Sequence, residues 1–176
     1  AIVGLADKAV EEARDRVGSA IKNSGLKSPK QSNQKIVVSL SPANVKKEGS
    51  YFDLAIALGY MLSNDEIKFD PEGRIFLGEL ALNGELKPVK GVLSLVKSAK
   101  ALGFREVYVP TQNAKEAALI EGIQIFPVKN LKEVVEHLSA DKPFCIDCQP
   151  VTPIVYGERK FAIDFADVRG QELAKR

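Results

Sequence analysis

The feature that most restricts the fold is the regular exchange of helical and strand periodicity from Gly91 to Leu138. Gly91 to Leu102 carries apolar residues at helical spacing, and Val107-Tyr108-Val109 is a short apolar strand. Gln112 to Ile120 reads as a helix stopped by Gly122, followed by a strand over Ile123 to Val128. Asn130 and Glu133 have the spacing of a capping box, opening a helix that carries Leu131, Val134, Val135 and Leu138. Such alternation predicts a sheet with helices packed on it, parallel in this half. Just before it, Arg74 to Val89 reads strand, turn, strand, with Asn83-Gly84 between two apolar runs, which predicts an antiparallel hairpin attached to that sheet.

The first half carries fewer elements. Val10, Ala13, Val17, Ala20 and Ile21 lie on one face of a helix over Asp7 to Asn23, with Asp7 suited to its N-cap and Gly25 to the C-cap region. A polar loop over Leu26 to Gln34 leads to Lys35-Ile36-Val37-Val38-Ser39-Leu40, a β-branched run of strand length. Ser50 to Leu62 reads as a helix apolar nearly all round and hence buried, with Ser50 and Asp53 in capping-box spacing at its start. Past Ser139, Pro143, Pro150 and Pro153 punctuate a stretch without sustained period, expected to be a linker or surface arm.

At 176 residues the chain has room for one well-packed core and too little for two full domains. Its net charge of +2 gives no overall field for nucleic acid or anionic membrane, so any DNA contact must come from a local patch. The longest apolar stretch, Phe52 to Leu62, is interrupted by Asp53 and falls short of the roughly 20 residues a membrane span needs. The opening Ala1-Ile2-Val3-Gly4-Leu5 has no basic region, no long apolar run and no initiator Met, and is expected to be a cut end and not a signal peptide. Two cysteines do not make a secreted disulfide framework, so a cytoplasmic setting is expected, with no membrane partner.

Few residues point to chemistry. Neither G-x-x-x-x-G-K-[ST] nor G-x-G-x-x-G occurs, so no cofactor is expected in this stretch and nucleotide hydrolysis by it is not. The single His137 falls in the last turn of a predicted helix, where a surface or capping role at the dipole end is expected over metal or acid–base work. Cys145 and Cys148 have the spacing of half a zinc site or a redox pair, but no further cysteine completes a ligand set, so no metal is expected and the pair stands as a weak candidate. Lysines cluster at Lys22, Lys27, Lys30 and Lys35, at Lys46 and Lys47, and at Lys87, Lys90, Lys97 and Lys100. Of these, Lys22, Lys27, Lys30, Lys46 and Lys47 are the candidate nucleic-acid contacts, against plain solvated surface. No aromatic residues interleave with them, which weakens single-strand stacking.

A set of segments is less generic. Ile2-Val3-Gly4-Leu5-Ala6-Asp7-Lys8-Ala9-Val10, Arg14-Asp15-Arg16-Val17 and Ala20-Ile21-Lys22-Asn23-Ser24-Gly25 are followed in order by Leu40-Ser41-Pro42-Ala43, Lys46-Lys47-Glu48-Gly49-Ser50, Phe52-Asp53-Leu54-Ala55-Ile56-Ala57-Leu58-Gly59 and Leu77-Gly78-Glu79-Leu80. Together they resemble the N-terminal domain of the ComM/YifB proteins, AAA+ ATPases related to the magnesium chelatase subunit ChlI. Asp164-Phe165-Ala166-Asp167-Val168-Arg169-Gly170-Gln171 resembles that family's approach to the ATPase module. There Asp167, Val168, Gly170 and Gln171 would lie beside the nucleotide base, with the Walker A loop further on. The resemblance implies a domain over residues 1–138 lacking its earliest strands, a linker or arm over 139–163, and the start of an ATPase module over 164–176.

The resemblance also implies a Lon-protease-like, ribosomal-protein-S5-like α/β fold, a mixed sheet with a β-hairpin and packed helices. In Lon the nucleophile is the serine of a Gly-Pro-Ser-Ala-Gly segment, which matches Gly49-Ser50-Tyr51-Phe52-Asp53, so Tyr51 stands at the nucleophile's place. The partner lysine's pattern matches Pro88-Val89-Lys90-Gly91-Val92-Leu93-Ser94-Leu95, so Leu95 stands at the lysine's place. A serine hydroxyl needs a base in reach, and Ser50, one position off, is expected to serve as a cap; Lys90 or Lys97 are the lysines that could stand in. The implied function is a non-catalytic accessory domain of a hexameric ATPase that uses ATP and Mg, with its own AAA+ module and DNA as partners. A Lon-type Ser-Lys peptidase and a zinc or redox module at Cys145 and Cys148 are the alternatives.

Overall fold

Local chemistry sets the helix ends. The Asp7 carboxylate accepts from the Val10 N–H at 2.8 Å and starts α1, Lys8–Asn23; Ser24 and the left-handed Gly25 end it. Accepting from the Val10 N–H, and from the Gly49 N–H at 3.2 Å, holds the Asp7 carboxyl below its usual range. At α5, Leu131–Leu138, Asn130 accepts from the Glu133 N–H at 2.9 Å, as the capping-box spacing predicts. Glu133 reaches back one residue beyond the cap, accepting from the Lys129 N–H at 2.8 Å.

The computed structural model describes residues 2–27, 36–139 and 144–153. β1 (Ile2–Val3) precedes α1, and between α1 and α5 lie β2 (Val38–Ser39), α2 (Asp53–Ser63), β3 (Arg74–Phe76), β4 (Glu79–Leu80), β5 (Leu86–Lys87), α3 (Val92–Ala101), β6 (Glu106–Pro110), α4 (Ala114–Ala117) and β7 (Gln124–Val128). The predicted parallel sheet is present in the order β3-β6-β7, with Val107 opposite Ile75 and Ile125. Its faces alternate as strand geometry requires. Val107, Val109 and Ile125 pack with α3 and α4, while Tyr108 and Val128 pack with α1, α2 and α5. The result is a three-layer α/β arrangement with two apolar cores.

Several elements differ from the sequence expectation. The expected mixture of parallel and antiparallel pairing is present, divided among the described residues into three sheets: beside β3-β6-β7, β1 and β2 form a parallel pair, and β4 and β5 an antiparallel one. The predicted first hairpin strand divides at Gly78, whose φ of +157° turns the chain out of the parallel sheet, so Arg74–Phe76 joins β6 and only Glu79–Leu80 joins the hairpin. The hairpin turn uses three residues, with a Gly84 N–H to Ala81 carbonyl bond of 2.9 Å and Gly84 at φ +87°, the pattern of a type I turn with a glycine bulge. The helix expected over Gln112 to Ile120 shrinks to a 3₁₀ turn, Thr111–Asn113, and the short α4, because the buried Asn113 side chain bonds both the N–H and the carbonyl of Val89, at 2.9 and 3.0 Å. The strand expected over 35–40 is reduced to β2, and Lys35 lies outside the described residues.

The helix read from Ser50 begins at Asp53, and Ser50 does not cap it: Phe52 stands at the cap and makes no side-chain bond there. Within α2, Gly59 is exposed, and a Cβ there would meet nothing within 4 Å. Gly59→Ala is therefore expected to stabilise the protein by about 0.5–1 kcal/mol, since it removes unfolded-chain entropy without a clash. A thermal melt reads this directly. The segment 144–153 has no regular structure but is fastened to β7 and to the end of α4: Ile146 is buried, Gln149 N–H donates to Ile125 O at 2.7 Å, and Thr152 N–H to Ala118 O at 2.9 Å. No helix among the described residues is long and apolar enough to cross a membrane.

Candidate functional site

The turn before α2 and the hairpin meet around a recess of about 270 Å³, lined among others by Ser50, Tyr51, Glu79 and Lys90. Two backbone bonds hold its walls together, from Gly78 N–H to Tyr51 O at 3.1 Å and from Leu54 N–H to Gly78 O at 3.2 Å. Ser50 Oγ donates to a Glu79 carboxylate oxygen. Behind it, Arg16 of α1 grips Asp53 with two bonds, Nε to Oδ2 at 2.7 Å and Nη2 to Oδ1 at 3.0 Å, and Leu80 N–H adds a third at 3.1 Å. Asp53 is fully buried, and that burial pushes its carboxyl above the usual range against the pull of Arg16. Bonding to Asp53 raises the Arg16 guanidinium, with Glu79 and Glu12 adding to it. The charge pattern at this end of the domain is thus an arginine shared by carboxylates.

The residues at the dyad positions are packed. Tyr51 and Leu95 are half-buried against the core cluster of α3 and α4, and Leu95 is not among the recess-lining residues. Tyr51 also rests on Phe52, with ring centroids 4.4 Å apart. Lys90 lines the recess and is exposed, whereas Lys97 is exposed on α3 and does not line it.

The lysine set divides. Lys22 and Lys27 are exposed, the first in the last turn of α1. Lys46 is exposed but ion-paired with Glu48 at 2.7 Å. Lys47 is buried, its ammonium donating to the Pro42 carbonyl, so it cannot reach a phosphate backbone. Lys30 lies outside the described residues, as do Asp167, Val168, Gly170 and Gln171.

Cys145 and Cys148 are exposed free thiols. Among the described residues no group of three or more His, Cys, Asp or Glu side chains could hold a metal ion. His137 is not the surface residue expected. It is half-buried against the rings of Tyr108 and Phe126, at centroid distances of 5.6 and 5.3 Å, because α5 packs on the aromatic face of the sheet. Glu79 and Arg16 were not singled out from the sequence. Glu79 stands one residue after Gly78, the only signal that its strand begins at a bend.

Comparison with known proteins gives this architecture its relatives. The family model described as subunit ChlI of Mg-chelatase matches residues 1–113. The chain is 36% identical to competence protein ComM of Haemophilus influenzae, over 99% of this chain and 34% of that protein. It is also 36% identical to the uncharacterized protein YifB of Salmonella typhimurium, over 99% of this chain and 33% of the relative. Lon protease 2 of Bacillus subtilis is 33% identical over 58% of this chain and 18% of its own length, in keeping with a Lon-like fold. The chain thus spans about a third of the length of the ComM and YifB relatives. On the match over residues 1–113, the chain belongs to the family of subunit ChlI of Mg-chelatase.

Proposed function

We propose that this chain is a non-catalytic accessory domain of a longer magnesium-chelatase-like AAA+ ATPase of the ComM type, serving assembly or contact with DNA or a partner protein. The observation that carries the reading is the state of the Lon-like recess. Tyr51 and Leu95 stand at the two dyad positions and are packed against the α3 and α4 core, while the neighbouring Ser50 hydroxyl is bonded to Glu79 and not to a lysine. A carboxylate can accept a serine proton, but a Ser-Lys dyad needs a lysine bonded to the nucleophile, and the bond given to Ser50 Oγ is to Glu79.

In this proposal ATP and Mg²⁺ belong to the motor part of the longer protein, which acts as a cytoplasmic hexamer on DNA. The described residues include no glycine-rich phosphate loop and no acidic cluster suited to a metal. The competence name of the Haemophilus relative supports a DNA setting. Exposed Lys22 and Lys27 are the lysines free to contribute contacts here.

Fluorogenic peptides should be turned over by the chain only at the buffer rate, and Ser50→Ala should change nothing. Turnover above background that Ser50→Ala abolishes would overturn the reading and reinstate a peptidase. DNA affinity measured across a salt series divides the two accessory roles. A measurable slope of log affinity on log salt supports DNA contact, and absence of binding at low salt leaves protein assembly.

A further inference from the structure

The aromatic face of the β3-β6-β7 sheet carries a chain of hydrogen bonds that ends on the segment 144–153. A neutral imidazole has one donor nitrogen and one acceptor nitrogen. Ile146 N–H can only donate, and it meets His137 Nδ1 at 2.9 Å, so Nδ1 must be the acceptor and the proton must sit on Nε2. Nε2 faces Tyr108 Oη at 3.2 Å, and Tyr108 donates in turn to Glu106 Oε2 at 2.9 Å. Arg74 fixes that carboxylate at 2.8 Å across the β3–β6 pair. Every donor in the row from Arg74 to Ile146 has its acceptor, and the row works with one tautomer only. Phe126, stacked beside Tyr108 on the same sheet face, also packs against the imidazole ring, with centroids 5.3 Å apart.

We propose that His137 is a pH-operated latch: its neutral Nδ1 holds the segment 144–153 against the sheet, and protonation of that nitrogen releases the segment. Once Nδ1 carries a proton it points a donor at the Ile146 N–H, and the bond becomes a donor–donor contact. Ile146, 5% exposed, is then the buried residue whose amide loses its partner. The other fastenings, Gln149 N–H to Ile125 O and Thr152 N–H to Ala118 O, join groups that do not titrate. Release therefore begins at the end nearest His137.

The charged and titratable groups around the ring are Glu106 and Tyr108 from β6, Arg74 from β3 and the Cys145 thiol from the segment itself. Burial pushes the imidazole below its ordinary 6.5, Glu106 works against that shift and Arg74 with it. The docked form thus binds fewer protons than the released form. Docking is complete above the ordinary histidine value and weakens as pH falls through it, by at most about tenfold in the docking equilibrium per pH unit.

Amide hydrogen exchange on the 176-residue chain, corrected for the intrinsic rate, tests this between about pH 8 and about pH 5. Protection at Ile146 should fall below the ordinary histidine value while the hairpin amides of Ala81 and Leu86 keep theirs. In His137→Gln, whose side chain can accept from Ile146 without titrating, protection at Ile146 should not vary with pH. Flat protection in the unmodified chain overturns the latch, as does loss of Ile146 and hairpin protection in one step, or an unchanged pH response in His137→Gln. Should that variant fail to fold, nitrogen NMR of the imidazole in the unmodified chain decides: the Nε2–H tautomer above neutral pH supports the latch, and the Nδ1–H tautomer overturns it.

Discussion

Replacing Asp53 by alanine is expected to destabilise the protein by about 3–5 kcal/mol, read as a lower urea midpoint at unchanged slope. The size follows from burial. Asp53 is fully buried, and its oxygens satisfy Arg16 twice and the Leu80 amide once. Arg16 also donates to Ala9 O at 2.9 Å, so the guanidinium ties its own helix to α2 and to the hairpin through one carboxylate. Without Asp53 the guanidinium, only 17% exposed, keeps Glu12 at 3.9 Å as its nearest remaining ion pair. Removing both charges tests whether the pair or the orphaned partner sets the cost. Arg16→Met with Asp53→Leu should recover part of the loss but stay about 1–3 kcal/mol short, because the Leu80 N–H still lacks an acceptor. A double variant as weak as Asp53→Ala alone would mean that packing, not charge, dominates here.

Asp53 also shows where the sequence was legible and where it was not. The S-x-x-D spacing suggested a capping box, and a cap is a local arrangement that sequence spacing can encode. The aspartate instead serves a partner 37 residues away, and nothing in the local pattern announces a contact of that range. The second half was readable because its elements are periodic and capped locally: β6, β7, α3 and α5 fall within a residue or two of their expected bounds. The division at Gly78 was hidden because a glycine within a strand-like run does not by itself reveal the positive φ it adopts there. His137 was misplaced for the same reason as Asp53. Its helix position was legible, but the aromatic face it packs on is assembled from three strands. At the recess, the identities of Tyr51 and Leu95 were visible in the chain, whereas the bond from Ser50 to Glu79 needed the bend at Gly78.

Gly4→Ala is the second large effect, expected to cost roughly 2–6 kcal/mol, as the sum of about 1–3 for a strained backbone and about 1–3 for forced overpacking. Gly4 has φ +117°, a region that residues with a Cβ rarely adopt, and it lies where β1 passes the loop that follows β2. A Cβ built there would overlap the Leu40 carbonyl oxygen, which is backbone and has no rotamer to escape into. The same loop is held by Leu40 N–H to Val3 O at 2.8 Å and Lys47 N–H to Leu5 O at 3.0 Å, so relieving the overlap means losing pairing on one side of Gly4 or the other. The Asp7 N–H to Lys47 O bond of 2.9 Å follows directly, and it positions the cap of α1. The damage should therefore concentrate at β1, β2 and the first turn of α1, with the β3-β6-β7 sheet left in place. Hydrogen exchange that rises at Leu40 and Val10 but not at Val107 or Ile125 is the expected pattern. A uniform loss across all four amides would show that the β1–β2 pair and the parallel sheet unfold as one unit.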